Sequence, residues 1–262
     1  MIRALMTSAS GMKSQQKMVD TIANNIANVN TGGFKSSTLT FRSMLYQTYA
    51  EPGAATSQQG MNPTGLQVGS GVEISGSRKS FQQGDLELTG GDFDIAINGQ
   101  GFFQIQLPNG EFRYTRDGHF SRDGNGNVVT ADGYPVVSFP TIGPEVIDIT
   151  IAEDGTITTR VSESDLGTTA GPLQLARFAN PEGLKAQGSN LYSETASSGT
   201  PQLLNPGTPG TGRLVHRHVE RSNVEVVDEL VGLIMAQRNY EVNSRAVRAA
   251  DEMLQQVNQM IR

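Results

Sequence analysis

Apolar residues at the two ends of the chain recur every seventh position, while those in the middle come in short alternating runs. Near the N-terminus Leu5, Met12, Val19 and Ile26 fall on one stripe, the spacing of a helix with a single buried face. No proline interrupts residues 1–30, and Thr31-Gly32-Gly33 follows; glycine is favoured just past a helix end. A second short helix is expected from about Thr38 to Thr48, around Phe41, Leu45 and Tyr46. Near the C-terminus Val226, Leu233, Tyr240, Val247, Leu254 and Ile261 keep the seven-residue spacing, with Ala236, Ala250 and Val257 three residues after members of the series. Ser222-Asn223-Val224-Glu225 has the form of a capping box. A helix from Asn223 to Ile261 would be about 58 Å long.

A long helix with a narrow apolar seam needs a partner, and the N-terminal helix is the natural one. A purely intramolecular two-helix hairpin is one reading. Both helices, however, carry apolar residues off the seam: Met18, Ile22 and Val29 on the first, Ile234 and Met235 on the second. These predict contacts on more than one side, and therefore neighbouring chains. Gly11 and the cluster Asn24, Asn25, Asn28 and Asn30 weaken the first helix intrinsically, so it should be ordered by packing.

The middle reads as β structure. Short candidate strands are Val72–Ile74, Asp94–Ile97, Phe102–Leu107, Phe112–Thr115, Asn127–Val129, Val136–Phe139, Val146–Ile151, Thr156–Val161 and Leu173–Phe178. Asn109-Gly110, Asp117-Gly118, Asp123-Gly124, Asp132-Gly133 and Asp154-Gly155 supply turn signals between them. Residues 50–65 and 197–212 have connector composition. The expected fold class is α+β: a long helical coiled-coil domain made by both termini and an irregular antiparallel β domain between them. The expected boundaries are 1–48 for the N-terminal helical part, 49–74 for an extended connector, 75–196 for the β domain, 197–221 for a second connector and 222–262 for the C-terminal helix.

Charge sharpens this division. The net charge is −6. Residues 1–45 hold Arg3, Lys13, Lys17, Lys35 and Arg42 against Asp20, and the last fifty residues balance, so the middle is strongly acidic. That distribution argues against a nucleic-acid partner. The absence of cysteine excludes thiol nucleophiles and thiolate metal sites. No signal-peptide-like stretch and no membrane span is visible, so any export is expected to proceed without a cleaved signal.

Candidate chemistry fails position by position. Asp123-Gly124-Asn125-Gly126-Asn127 opens like a calcium loop, but Val128 and Tyr134 stand where such a loop needs Gly and Glu; a hairpin turn explains it. His216 and His218 have no third clustered ligand. No nucleophile elbow, phosphate loop or zinc helix motif occurs. The many carboxylates of the middle leave a periplasmic peptidoglycan-acting enzyme, with a paired-carboxylate cleft in residues 75–200, as the alternative of another class. Nothing singles out two of them, so no catalytic residue, metal site or cofactor is expected.

The run Asn24-Asn25-Ile26-Ala27-Asn28-Val29-Asn30-Thr31-Gly32-Gly33-Phe34-Lys35 resembles the N-terminal signature of the flagellar rod and hook proteins. Residues 223–231 and 236–244 resemble that family's C-terminal signature, and Asn98–Phe103 and Tyr114–Gly118 its shared β motifs. Leu45–Thr48 and Pro63–Val72 resemble the distal-rod branch, with a long proximal-rod branch as the alternative. The resemblance implies a structural subunit exported through the flagellum's own channel, stacked helically into a hollow, torque-bearing rod across the periplasm. The implied partners are further copies, proximal rod proteins, hook or hook-junction subunits, and the peptidoglycan and outer-membrane ring proteins. The residues expected at the assembly interface are Leu5, Met12, Val19, Ile22, Asn25, Ile26, Asn28 and Val29 on the first helix side. On the second they are Val226, Leu230, Leu233, Tyr240, Val247, Leu254 and Ile261.

Overall fold

A computed structural model describes residues 2–52, 64–162 and 167–260 of the chain. Two compact units are interleaved along it. The first draws on the chain up to Ile26, on Ser37–Arg78 and on the chain from Glu225 onward; the second on Ala27–Ser36 and Lys79–Val224.

The first unit holds helix α1 (Ile2–Ala27), strands β1 (Ser37–Ser43), β2 (Gln47–Ala50), β3 (Leu66–Val68) and β4 (Val72–Lys79), and helix α2 (Val226–Met260). Strand β1 pairs with β4, and β2 runs antiparallel to β3. Arg3 fastens the β2–β3 ribbon to the start of α1. Its guanidinium donates to Gln47 Oε1 at 2.8 Å, Tyr49 Oη at 3.0 Å and the Val68 carbonyl at 2.6 Å. The helix expected over Thr38–Thr48 is instead β1 and β2. Thr38 and Thr40 face solvent while Leu39 between them turns inward, an alternation of period two with β-branched residues, and the partner strand β4 settles it.

Helix α2 begins at Val226, three residues later than the capping box implies. Asn223 is committed elsewhere: its Oδ1 accepts from the Ser36 amide at 2.8 Å, and its Nδ2 donates to the carbonyls of Ser80 and Gln82 at 2.9 and 3.1 Å. The Ser222 hydroxyl is buried with no hydrogen-bond partner among the described residues. Asp228 and Glu229 occupy the first turn, where negative charge suits the helix dipole.

The second unit is built from short antiparallel strands: β5 (Leu86–Leu88), β6 (Ile95–Asn98), β7 (Phe103–Gln106), β8 (Phe112–Thr115), β9 (Ser121–Arg122), β10 (Val128–Val129), β11 (Asp148–Ile151), β12 (Ile157–Arg160), β13 (Thr168–Ala170), β14 (Leu175–Arg177), β15 (Lys185–Gly188), β16 (Leu191–Ser193), β17 (Gln202–Leu204), β18 (Arg213–His216) and β19 (His218–Glu220). They form small sheets, the largest in the order β15-β16-β8-β7 and the next β11-β12-β13. Val136–Phe139 makes only an isolated bridge, Ile105 to Val136, because Ser138 turns into the left-handed region at φ 69°. Asp117-Gly118 is a close crossing rather than a hairpin turn: a Cβ on Gly118 would collide with the Ile95 carbonyl. One core gathers Ile95, Ile97, Phe103, Ile157, Leu173 and Leu214 among others. A second, aromatic core holds Phe102, Tyr114, Phe178 and Tyr192, with ring pairs meeting edge to face. The fold is α+β, with a helix at each end and antiparallel strands between.

Candidate assembly interface

Helices α1 and α2 meet in the first unit with their numbering running in opposite directions. Near one end Asn25 Nδ2 donates to Glu229 Oε1 at 2.8 Å. Next, a methyl group on Gly232 would lie 3.4 Å from Ile22 Cδ1. Farther along, a methyl group on Gly11 would lie 3.0 Å from Asn243 Nδ2. Equal stretches of both helices separate these contacts, so the antiparallel pair keeps its register. Glycine at 11 and 232 brings the backbones together, and side chains of modest size fill the seam.

Asn25 is the knot of this arrangement. It is 1% exposed. Besides Glu229 it donates to the Ser37 carbonyl at 3.0 Å and accepts from the Ser37 amide at 3.0 Å. One buried amide thereby joins the end of α1, the start of β1 and the first turn of α2, which explains an asparagine that helix propensity alone disfavours.

The predicted interface residues divide. Ile22 and Asn25 are buried on the seam, and Leu5, Met12, Val19, Ile26, Leu233, Val247 and Leu254 are half-buried. Val19 and Tyr240 line one open cleft of about 420 Å³. Val226, Leu230 and Tyr240 are exposed. Asn28 and Val29 belong to the second unit; there Asn28 Oδ1 accepts from the Thr31 hydroxyl, and Val29 lines a cleft with His119. Ile261 lies outside the described residues. The deepest α1 positions, Ser14, Ile22 and Asn25, sit beside the stripe expected from Leu5, Met12, Val19 and Ile26. Ser14 is polar, so a search for apolar repeats passes over it.

Helix α2 is mostly uncovered. Of its described residues only Ala236 and Ala250 are buried. Val227, Leu230, Val231, Ile234, Met235 and Val242 are all 46–71% exposed. At 3.6 residues per turn these side chains centre on the face opposite Gly232, Ala236 and Asn243.

Lys35 is a functional-motif residue that sequence reading left without a role. In the second unit it is fully buried, and its Nζ lies 2.6 Å from Glu220 Oε1 and 2.7 Å from the Gln82 carbonyl. Glu220 Oε2 is 3.0 Å from Arg116 Nε, and Arg116 Nη1 donates to the carbonyls of Gly99 and Gly101. Burial pushes the Lys35 ammonium below its ordinary pKa, while the Glu220 carboxylate opposes that shift. Gly33, at φ 66°, lets the chain pass: a Cβ there would lie 2.5 Å from the Asp117 amide nitrogen. The amide of Gly33 donates to the Glu220 carbonyl at 2.7 Å.

The remaining candidates serve the fold. Asp123 Oδ1 accepts from the amides of Asn125 and Asn127, closing the β9–β10 hairpin, and these hydrogen bonds lower its pKa. His216 and His218 are each within 2.8 Å of a backbone carbonyl, of Asp92 and His216 respectively. Among the described residues no group of three His, Asp or Glu is placed to hold a metal, and no helix is long and apolar enough to cross a membrane.

Three family matches fall along the sequence, one near each end and one in the middle. Residues 5–35 match the flagella basal body rod protein family, 96–159 the flagellar hook protein FlgE/F/G D1 domain, and 216–260 the flagellar basal body rod FlgEFG protein C-terminal family. The chain is 45% identical over 260 residues to the flagellar basal-body rod protein FlgG of Caulobacter vibrioides, covering 99% of each chain. It is 44% identical over 264 residues to that of Borreliella burgdorferi, covering 100% of each. It is 44% identical over 261 residues to that of Buchnera aphidicola subsp. Baizongia pistaciae, covering 98% of this chain and 99% of the relative.

Proposed function

The chain belongs to the flagellar basal-body rod protein family and is a structural subunit of that rod; from this premise we propose that it polymerises with copies of itself through its terminal helices. The single observation that carries the reading is the exposure of α2. A helix of 35 residues that buries two alanines leaves most of its apolar surface in water. Burying such surface yields about 25 cal/mol per Å², which favours association of copies. The α1–α2 seam works as a coiled-coil-like strut within each subunit. The sequence-named interface residues described on these two helices act on it or on its outer side, whereas Asn28 and Val29 lie in the second unit.

The distal segment of the rod is its place, supported by the resemblance of Leu45–Thr48 and Pro63–Val72 to that branch. There the subunit stacks helically, follows the proximal rod proteins, meets the hook or its junction proteins and turns inside the ring proteins. It transmits torque from motor to hook. Close-packed helical seams suit that load because packed interiors compress little. Its route to the periplasm is the flagellum's own export apparatus.

The test is an electron micrograph of basal bodies purified from a strain lacking the chain. The axis should stop beyond the proximal rod and carry no hook. An axis that stops nearer the motor moves the chain to the proximal branch, and a complete axis overturns a role in the rod.

A further inference from the structure

Three charged side chains are buried together in the second unit: Lys35, Arg116 and Glu220 are 0%, 4% and 1% exposed. They sum to one positive charge. Among the described residues Glu220 is the one carboxylate acting on either cation. A buried charge calls for a partner of opposite sign, so one cation is in surplus. The surplus has an outlet at Arg116. Its Nε faces Glu220, and its Nη1 donates to the carbonyls of Gly99 and Gly101 at 2.9 and 2.8 Å. A guanidinium has five N–H groups, and Nη2 makes no hydrogen bond among the described residues. Unlike the Ser222 hydroxyl, Nη2 is not closed off from solvent. Arg116 lines a cleft of about 80 Å³. The cleft's walls include the rings of Phe81, Phe102 and Phe178, with Phe102 meeting the other two edge to face. Arg177 lines the same cleft, half-buried, and its side chain makes no hydrogen bond or ion pair among the described residues. Gly210 leaves room for that guanidinium, since a Cβ there would collide with Nη1. None of the residues lining the cleft is acidic.

We infer that this cleft binds a small monocarboxylate between Arg116 and Arg177. A carboxylate presents two oxygens in one plane, which suits the guanidinium fork. The phenylalanine walls suit an apolar body behind it, and they disfavour a phosphate or sulfate, whose remaining oxygens would lose water against the rings. A cleft of about 80 Å³ has room for about five waters at roughly 15 Å³ each, so an acid of about five heavy atoms fits. Its charge balances the buried cluster from the side that Glu220 does not reach. Every residue of the site lies in the second unit, so the site stands whether or not the chain occupies the distal rod.

Propionate is the probe. The isotope-labelled, unassembled full chain would be titrated with it while the amide resonances of Gly99, Gly101, Phe102 and Arg177 are followed. These should shift together and saturate. Propionamide, similar in shape but uncharged, should leave them in place. Arg177→Gln, with the rest of the spectrum unchanged, should weaken propionate binding about tenfold, the loss of one charge-assisted hydrogen bond. Absence of saturation, an equal response to propionamide, or a variant that binds as tightly as the parent would each overturn the site. The propionamide comparison decides by itself if the variant does not fold. Inorganic phosphate binding as tightly as propionate would overturn the carboxylate class. Alanyl-alanine with a free C-terminus separates the two sources of such a group. Binding tighter than that of propionate assigns the carboxylate to a peptide end, and weaker binding assigns it to a free acid; both support the site.

Discussion

Burying Lys35, Arg116 and Glu220 together removes three charges from water, and only close pairing offsets that desolvation. Glu220 touches both cations and also accepts from the Gly84 amide at 3.0 Å. The two cations do not depend on each other, so the carboxylate governs the cluster. Glu220→Gln strands two buried cations and should cost the second unit about 3–5 kcal/mol. Lys35→Met leaves Glu220 paired with Arg116 and should cost no more than half as much. Urea unfolding followed by tyrosine fluorescence would measure both. Equal losses, or a larger one from Lys35→Met, would remove Glu220 from the centre of the cluster. None of the three was legible as a partner of the others, because they stand 81 and 104 positions apart in succession and no local pattern joins them. Lys35 was visible only as one basic charge among five near the N-terminus and as the last residue of a motif.

At the scale of elements, Leu233 tests the seam. It is half-buried on the inner face of α2, next to Gly232 and one turn from Glu229, which holds Asn25. Leu233→Asp puts a charge into that contact and a like charge four residues from Glu229, which itself disfavours the helix. Rod assembly should fail, and cells carrying only this variant should be non-motile, while the aromatic core of the second unit keeps its near-ultraviolet dichroism. Normal motility and rod length would show that the seam is dispensable. Both helices were legible in the sequence because seven-residue spacing persists through them. Strands β6, β7, β8, β10, β11, β12 and β14 of the second unit were legible because Asn-Gly and Asp-Gly pairs punctuate that stretch, whereas β5, β9, β13 and β15–β19 were not, the last three lying in a stretch of connector composition. Strand β1 was misread since Leu45 and Tyr46 extend an apolar count past Phe41 that suits a helix turn as well as a strand. Only pairing with β4, far along the chain, decides between them, and such tertiary context overrides propensity. The start of α2 was misplaced for a similar reason, as Asn223 spends its side chain on the carbonyls of Ser80 and Gln82.

For the whole molecule, the two units differ in what holds them. The second has two buried clusters of apolar side chains and a paired charge network, all supplied by one chain. The first has a seam of small and polar side chains and an apolar ridge in water. An isolated helix is costly to nucleate and owes its stability in proteins to tertiary burial, and α2 past Ala236 has little of it. Gly11 and the asparagines of α1 lower its propensity further. In dilute monomer the amides of α1 and α2 should therefore exchange with deuterium far faster than those of β6, β7 and β8, because local opening free energies track buried contacts. In assembled rods the helical amides should slow by orders of magnitude, while the β strands change little. Hydrogen-exchange mass spectrometry on both samples reads each element separately. Helices as protected in the monomer as the β core would mean that a single chain already hides what its terminal segments need hidden, and copies would then have to associate for some other reason.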